Sequence, residues 1–250
     1  MADEPTIVEP LPASSVLVVR DGVEQLEVLM IERAKTMRFA PGAFVFPGGK
    51  VDAQDQDRNF WTGRVNADTS LPDMAYRLAG LRELYEEASL LITDTAPSGA
   101  NCSEEFVARL RAEKACLNIA DMVPFAHWVT PEPMPRRFDT HFYIVAHNGE
   151  DARHDGHEAV SLRWVNPKTL LVDWDSDQVP LMFPTRLNLM KLARASTVEE
   201  ALEQARTSDV VRTLPVIGRD KEGVKLTIDP ATGYDVTQAS SKELRVESPK

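Results

Sequence analysis

Two kinds of apolar periodicity divide this chain. "SSVLVVR" (14–20) and "LEVLMIER" (26–33) are short runs rich in Val, Leu and Ile on either side of "DGVEQ". The Asp21-Gly22 pair between them is a turn signal, so they predict a β-hairpin. "GAFVFPGGK" (42–50) predicts a short strand running into a glycine pair. Residues 52–73 show neither the period of a strand nor that of a helix and are rich in Asp, Asn and turn formers, which predicts a loop. From Met74 the period changes: Met74, Leu78, Leu81, Tyr85 and Ala88 recur at steps of four and three, one stripe of an amphipathic helix. A second helix is expected over 103–117, with Ser103 as its N-cap and acidic residues in its first turn. Strand patterns return at "FAHWVT" (125–130), "FDTHFYIVAH" (138–147) and "AVSLRWV" (159–165). Helices follow at about 184–195, where Pro184 suits a first turn, and at about 197–206, where Thr197 and Glu200 form a capping box. "LPVIGRDKEGVKLTI" (214–228) reads as a hairpin before a polar end. Strands interspersed with helices predict an α+β fold, with helices packed on a mixed sheet.

With 250 residues, 43% of them hydrophobic, the chain can build one sizeable core with extensions. Its net charge of −11 disfavours nucleic acid and anionic membranes as partners, and any anionic small substrate then needs a local basic pocket. Cys102 and Cys116 are the only cysteines and stand far from any metal-ligand spacing, which suits a reducing cytoplasm. No apolar run approaches the roughly 18 residues of a membrane span. The first residues, "MADEPTIVEPLPAS", are acidic and proline-rich, unlike a secretory signal, and read as a tail over 1–13.

The candidate chemistry lies in "RELYEEASLL" (82–91). At about 100° per residue, Glu83, Glu86 and Glu87 share the side opposite the apolar stripe, with Arg82 beside them. One account is a solvated face in which Arg82 and Glu86 form a surface pair worth about 0.3–0.5 kcal/mol. The other is a site for a hard divalent cation, which prefers oxygen ligands and leaves room for a diphosphate to supply the remainder. The helix alone favours the first. The glycine pair before it favours the second, because glycine lets backbone approach a helix and a ligand without side-chain obstruction.

Strand, "FPGG", loop and acidic helix together resemble the Nudix hydrolases, whose box reads G-x5-E-x7-R-E-U-x-E-E-x-G-U with U aliphatic. Gly49 matches the first glycine, and Arg82, Glu83, Leu84, Glu86, Glu87 and Leu90 match the helical half. Three departures stand out: Asp55 replaces the first glutamate, 26 residues (56–81) occupy a gap of seven, an insertion of 19, and Ser89 replaces the final glycine. Upstream, "LMIERAKTMRFAPGAFVFPGG" is similar to the coenzyme A diphosphatase signature L-L-T-x-R-[SA]-x3-R-x3-G-x3-F-P-G-G. Arg33, Ala34, Arg38, Gly42 and Phe46 to Gly49 fall in register, and Met30 and Ile31 do not match. The interrupted box and "PRRFDTHFYIVA" also resemble the peroxisomal coenzyme A diphosphatases and their bacterial relatives.

The resemblance implies a Nudix α/β/α sandwich over 14–195, with an insertion at about 56–74 and a C-terminal extension over 196–250 made of a helix, a hairpin and a polar tail. It implies Mg²⁺ or Mn²⁺ on Glu83, Glu86 and Glu87, with Arg82 orienting the glutamates. The expected reaction is hydrolysis of a small-molecule diphosphate, coenzyme A or acyl-coenzyme A, to 3′,5′-ADP and a 4′-phosphopantetheine product. Two alternatives stay open: a Nudix hydrolase of ADP-ribose, a nucleotide sugar or a dinucleotide, and a non-catalytic nucleotide sensor. A homodimer is compatible with either. Glu83 and Glu158 are candidate catalytic carboxylates, the latter because many Nudix enzymes carry a further acidic residue near that point; a charged strand start explains Glu158 equally well. Arg33, Arg38, Gly48, Gly49 and Arg137 are expected around the substrate, with Arg136 a weaker candidate. His157 in "HDGH", and Phe60, Trp61 and Trp128 as adenine platforms, are set against the plainer readings of a solvated histidine and core aromatics.

Overall fold

The structure is a computed structural model that describes residues 7–23, 25–34, 41–95, 105–153, 159–221, 223–240 and 243–244. Its central strand is β1 (Leu11–Asp21), buried on both faces. Val16 and Val18 point into one apolar layer while Leu17 and Val19 point into the other, which is why "SVLVV" shows no alternation. The end of β1 pairs antiparallel with β2 (Leu26–Arg33), and its beginning pairs antiparallel with β4 (Gly48–Lys50). Along its other edge it runs parallel to β6 (Phe138–Ala146). With β3 (Phe44–Val45), β5 (Val123–Val129), β7 (Ala159–Val165) and β8 (Arg212–Thr213), these strands form one mixed sheet in the order β3-β2-β1-β6-β5-β8. In it β4 lies beside β1 and β7 beside β2.

Helices cover both faces. On one side α1 (Arg58–Trp61), α2 (Met74–Ala88) and α3 (Phe106–Glu113) contribute Trp61, Leu78, Leu81, Leu84, Tyr85 and Phe106 to a core with Val16, Val18, Tyr143 and Val145. On the other, α4 (Pro167–Asp175), α5 (Phe183–Leu192) and α6 (Val198–Thr207) pack Leu170, Leu187, Leu189 and Ala201 against Leu17, Val28 and Ile144. A small antiparallel sheet of β9 (Val216–Asp220), β10 (Gly223–Thr227) and β11 (Gln238–Ser240) joins the same core through Leu226 and Ala239. The result is the expected α/β/α sandwich. Among the described residues no helix is long and apolar enough to cross a membrane.

Several elements differ from the sequence expectation. The stretch 52–73 is not a plain loop: it holds a 3₁₀ turn at Gln54–Gln56 and the short α1. Trp61 is buried with its indole N–H on the Gln54 carbonyl at 2.8 Å, and Val65 bridges to Leu117. Anchors this isolated leave no period to read. α3 is shorter than expected, starting at Phe106, and Ser103 lies outside the described residues. α4 is an element the apolar pattern does not announce, although Asn166 before Pro167 caps it by accepting the Lys168 and Thr169 amides. β1 begins at Leu11, inside the stretch read as tail, because the Leu11 amide donates to the Arg137 carbonyl at 2.9 Å and the parallel pairing with β6 starts there.

Candidate active site

Two glycines on β4 and one on α2 bring the interrupted halves of the acidic motif together. Gly80 sits where a Cβ would come within 2.8 Å of Ser14 Oγ and Val16 Cγ2, so α2 lies directly against β1. Gly48 has φ of +154°, which glycine tolerates readily, and its amide donates to Glu87 Oε2 at 2.8 Å. A Cβ on Gly49 would fall 2.3 Å from the Glu83 carboxylate. The insertion therefore leaves the glycine turn and the helix in contact, as the slow growth of loop-closure cost with length permits.

Arg82 organises the carboxylates. Its Nη1 donates to Glu83 Oε1 at 3.1 Å and Glu86 Oε2 at 3.0 Å, while Nη2 donates to the Lys50 carbonyl at 2.9 Å. Nε and Nη2 reach the two oxygens of Asp55 at 3.2 and 3.0 Å. Asp55 is fully buried and also accepts the Asp52 amide at 2.8 Å. The shorter acid at the box position thus anchors the loop to the helix in a forked ion pair. Burial works to lower the Arg82 pKa, but the hydrogen bonds and charge of Asp55, with Glu83 and Glu86, outweigh it and hold the guanidinium charged. Glu83 and Glu86 are both raised, first by burial, with the opposing pull of Arg82 only partly offsetting it and neighbouring carboxylates adding to the rise. Glu83 and Glu86 share the Arg82 guanidinium while Glu87 takes the Gly48 amide, so the oxygen donors a hard divalent cation prefers stand on one helix beside the glycine turn but are not gathered into a closed ligand set.

Ser89, at the position of the missing glycine, closes α2 in the left-handed conformation (φ 55°), with its amide on the Tyr85 carbonyl at 2.8 Å. The turn therefore forms without glycine. Other expectations fare unevenly. Arg33 ends β2 at a register shift and is half-buried, with its amide on Ala43. Arg137, expected beside the substrate, is buried, with Nε on the Thr130 carbonyl and Nη1 on the Val8 carbonyl, so its guanidinium ties the first strand down. Arg136 lies over the Phe138 ring. Trp61 and Trp128 are core residues, the latter bonded to Tyr234 Oη at 2.9 Å, and Phe60 packs edge-on against Trp61. Arg38, His157 and Glu158 lie outside the described residues. Gly80 escaped the reading of the motif, although a glycine in a helix interior costs about 1 kcal/mol and so signals a close approach.

The fold and the sequence have counterparts among known proteins. No family model matches the chain. A crystal structure of a Nudix hydrolase from Alicyclobacillus acidocaldarius has a TM-score of 0.67 and 28% identity, covering 82% of this chain and 100% of that one. Fold, box and relatives together make the chain similar to the Nudix hydrolases. Within that class the chain resembles the coenzyme A diphosphatase branch. It is 24% identical to the acyl-coenzyme A diphosphatase NUDT19 of Xenopus laevis over 84% of this chain and 71% of that protein. The human protein of the same name is also 24% identical, over 71% of this chain and 63% of its own length.

Proposed function

We propose that the protein hydrolyses the diphosphate bond of coenzyme A or an acyl-coenzyme A, releasing 3′,5′-ADP and 4′-phosphopantetheine or its acyl form. The observation that carries the reading is the contact of Gly48 and Gly49 with Glu87 and Glu83, which rebuilds a diphosphatase box across its insertion. The choice of coenzyme A rests on the upstream signature around Arg33 and Arg38 and on the names of the relatives. Glu83, Glu86 and Glu87 would hold Mg²⁺ or Mn²⁺. When bound, such an ion neutralises charge on the diphosphate and makes a water more acidic. Arg82 keeps Glu83 and Glu86 oriented without competing as a ligand, since a cation cannot coordinate one. Gly49 leaves the Glu83 carboxylate room against β4. Glu83, with a pKa raised by burial, and Glu158 are the two proposed proton acceptors for the attacking water. Arg33 and Arg38 supply positive charge that a protein of net charge −11 otherwise lacks for this anion.

The test is product analysis with coenzyme A, ADP-ribose, a nucleotide sugar and a dinucleotide, each with Mg²⁺ or Mn²⁺. Formation of 3′,5′-ADP is expected. Cleavage of ADP-ribose or a dinucleotide with coenzyme A untouched would give the site to another diphosphate, and binding of nucleotide without cleavage of any would make it a sensor.

A further inference from the structure

β5 and β6 carry a second group of donor atoms that the diphosphate site does not use. The pairings Gly49↔Ser14, Ser14↔His141 and His141↔His127 form one row across β4, β1, β6 and β5. Side chains in such a row share a face of the sheet, and this is the face under α2, because the His141 ring lies 4.1 Å from that of Tyr76. Tyr76 precedes Glu83 by about two helical turns, so the two ends of the row are roughly 10 Å apart along the helix. Asp139, two residues before His141 on the same strand, points the same way.

Three groups converge there. His127 Nε2 is 2.5 Å from Asp139 Oδ1 and His141 Nε2 is 3.9 Å from the same oxygen. One donor atom from each residue lies within 4.8 Å of the others. The two imidazoles lie with centroids 4.1 Å apart and planes tilted by 32°, and both approach Asp139 Oδ1 through Nε2. Their side chains are 16% and 29% exposed and that of Asp139 is 23% exposed, so the cluster is shielded yet reachable. Arg212, next in the row on β8, is exposed and its charge is screened by solvent.

A hydrogen-bonded His127–Asp139 pair with His141 as a packing neighbour is the plain account. It explains the 2.5 Å contact and leaves unexplained why a third donor completes the set. Zinc–nitrogen and zinc–oxygen bonds of about 2.0–2.2 Å put neighbouring ligand atoms roughly 3.3–3.6 Å apart in a tetrahedral site. Reaching that geometry requires the 2.5 Å contact to open by about 1 Å, the 3.9 Å one to close by a few tenths, and the two histidine nitrogens, within 4.8 Å of each other, to come to the same range. Metal binding would replace the His127–Asp139 hydrogen bond.

We propose that His127, Asp139 and His141 form a second metal site, separate from the glutamates, that takes a borderline dication such as Zn²⁺ through two imidazoles and one carboxylate. Nitrogen donors set its preference apart from the all-oxygen glutamate site, where Mg²⁺ suffices. Its occupancy cross-links β5 to β6 and does not depend on which diphosphate the protein hydrolyses.

The experiment is calorimetric titration of the metal-stripped full chain with Zn²⁺ in excess Mg²⁺, with Co²⁺ absorption as the second readout. One Zn²⁺ per chain is expected, with affinity reduced at least about 100-fold in His127→Gln/His141→Gln. The affinity should be unchanged in His154→Gln/His157→Gln, which removes histidines outside the cluster, and in Glu86→Gln/Glu87→Gln. Co²⁺ bands indicating nitrogen ligation should vanish with the His127/His141 pair alone. Asp139→Asn, close in shape, gives the same loss if the double variant does not fold, and circular dichroism identifies that case. Zn²⁺ binding that survives both the His127/His141 and the Asp139 changes, that follows the glutamates, or that is absent from the unaltered chain would overturn the proposal.

Discussion

Replacing Asp55 with Asn tests whether this buried acid holds the interrupted motif together. Its carboxylate takes Arg82 Nε and Nη2 at 3.2 and 3.0 Å and the Asp52 amide at 2.8 Å, with none of it exposed to solvent. Asparagine keeps the volume, loses the charge and turns one acceptor into an NH₂ facing a guanidinium. Removing one partner of a buried ion pair costs about 3–5 kcal/mol. Arg82 still has Glu83, Glu86 and the Lys50 carbonyl, so the low end, about 3 kcal/mol, is expected. For a chain of this length that lowers Tm by about 6–12 °C. Asp55→Glu restores the commoner acid of the box but adds a methylene to a filled space, at about 1–3 kcal/mol. Urea unfolding of Asp55→Asn, Arg82→Gln and the double variant should give a coupling energy of about 1–3 kcal/mol. Turnover should fall in Asp55→Asn because Arg82, without its forked anchor on Asp55, holds Glu83 and Glu86 less rigidly. A coupling below about 0.5 kcal/mol together with unchanged turnover would refute the anchoring role.

Ser89→Gly should raise stability by about 0.5–1 kcal/mol in urea unfolding, because Ser89 holds the left-handed C-cap of α2 without glycine's freedom; an equal loss would show that its side chain matters more than its backbone. Gly49→Ala should fold, since the group it meets is the flexible end of Glu83, yet lose about 100-fold in turnover as that carboxylate is displaced; activity within a factor of two would mean that Glu83 is not needed there. The pKa values of Glu83 and Glu86 lie above their ordinary 4.5 in the fold, so their stabilising contribution is present below pH 4.5 and lost as pH rises through the raised values. Without metal, Glu86→Gln should therefore gain in Tm relative to the unaltered chain over that window. A difference that does not vary with pH would count against the strained carboxylates.

The order of elements and the acid-rich helix were legible in the sequence because they are local. Met74, Leu78, Leu81, Tyr85 and Ala88 repeat with a helix's period and are all buried, and "RELYEE" fixes which carboxylates stand on the far side of that stripe. What the sequence could not decide were contacts between residues distant along the chain. The role of Asp55 depends on meeting Arg82 across an insertion whose fold rests on isolated anchors such as Trp61. Arg137 read as a substrate cation because a chain of net charge −11 needs local positive charge for an anionic substrate, and only the tertiary structure brings the Thr130 and Val8 carbonyls to it. His127 and His141 are unremarkable letters in two strand patterns, and the antiparallel register of β5 and β6 alone sets them side by side with Asp139. Periodicity records which face a residue occupies; strand register and helix approach decide which faces meet.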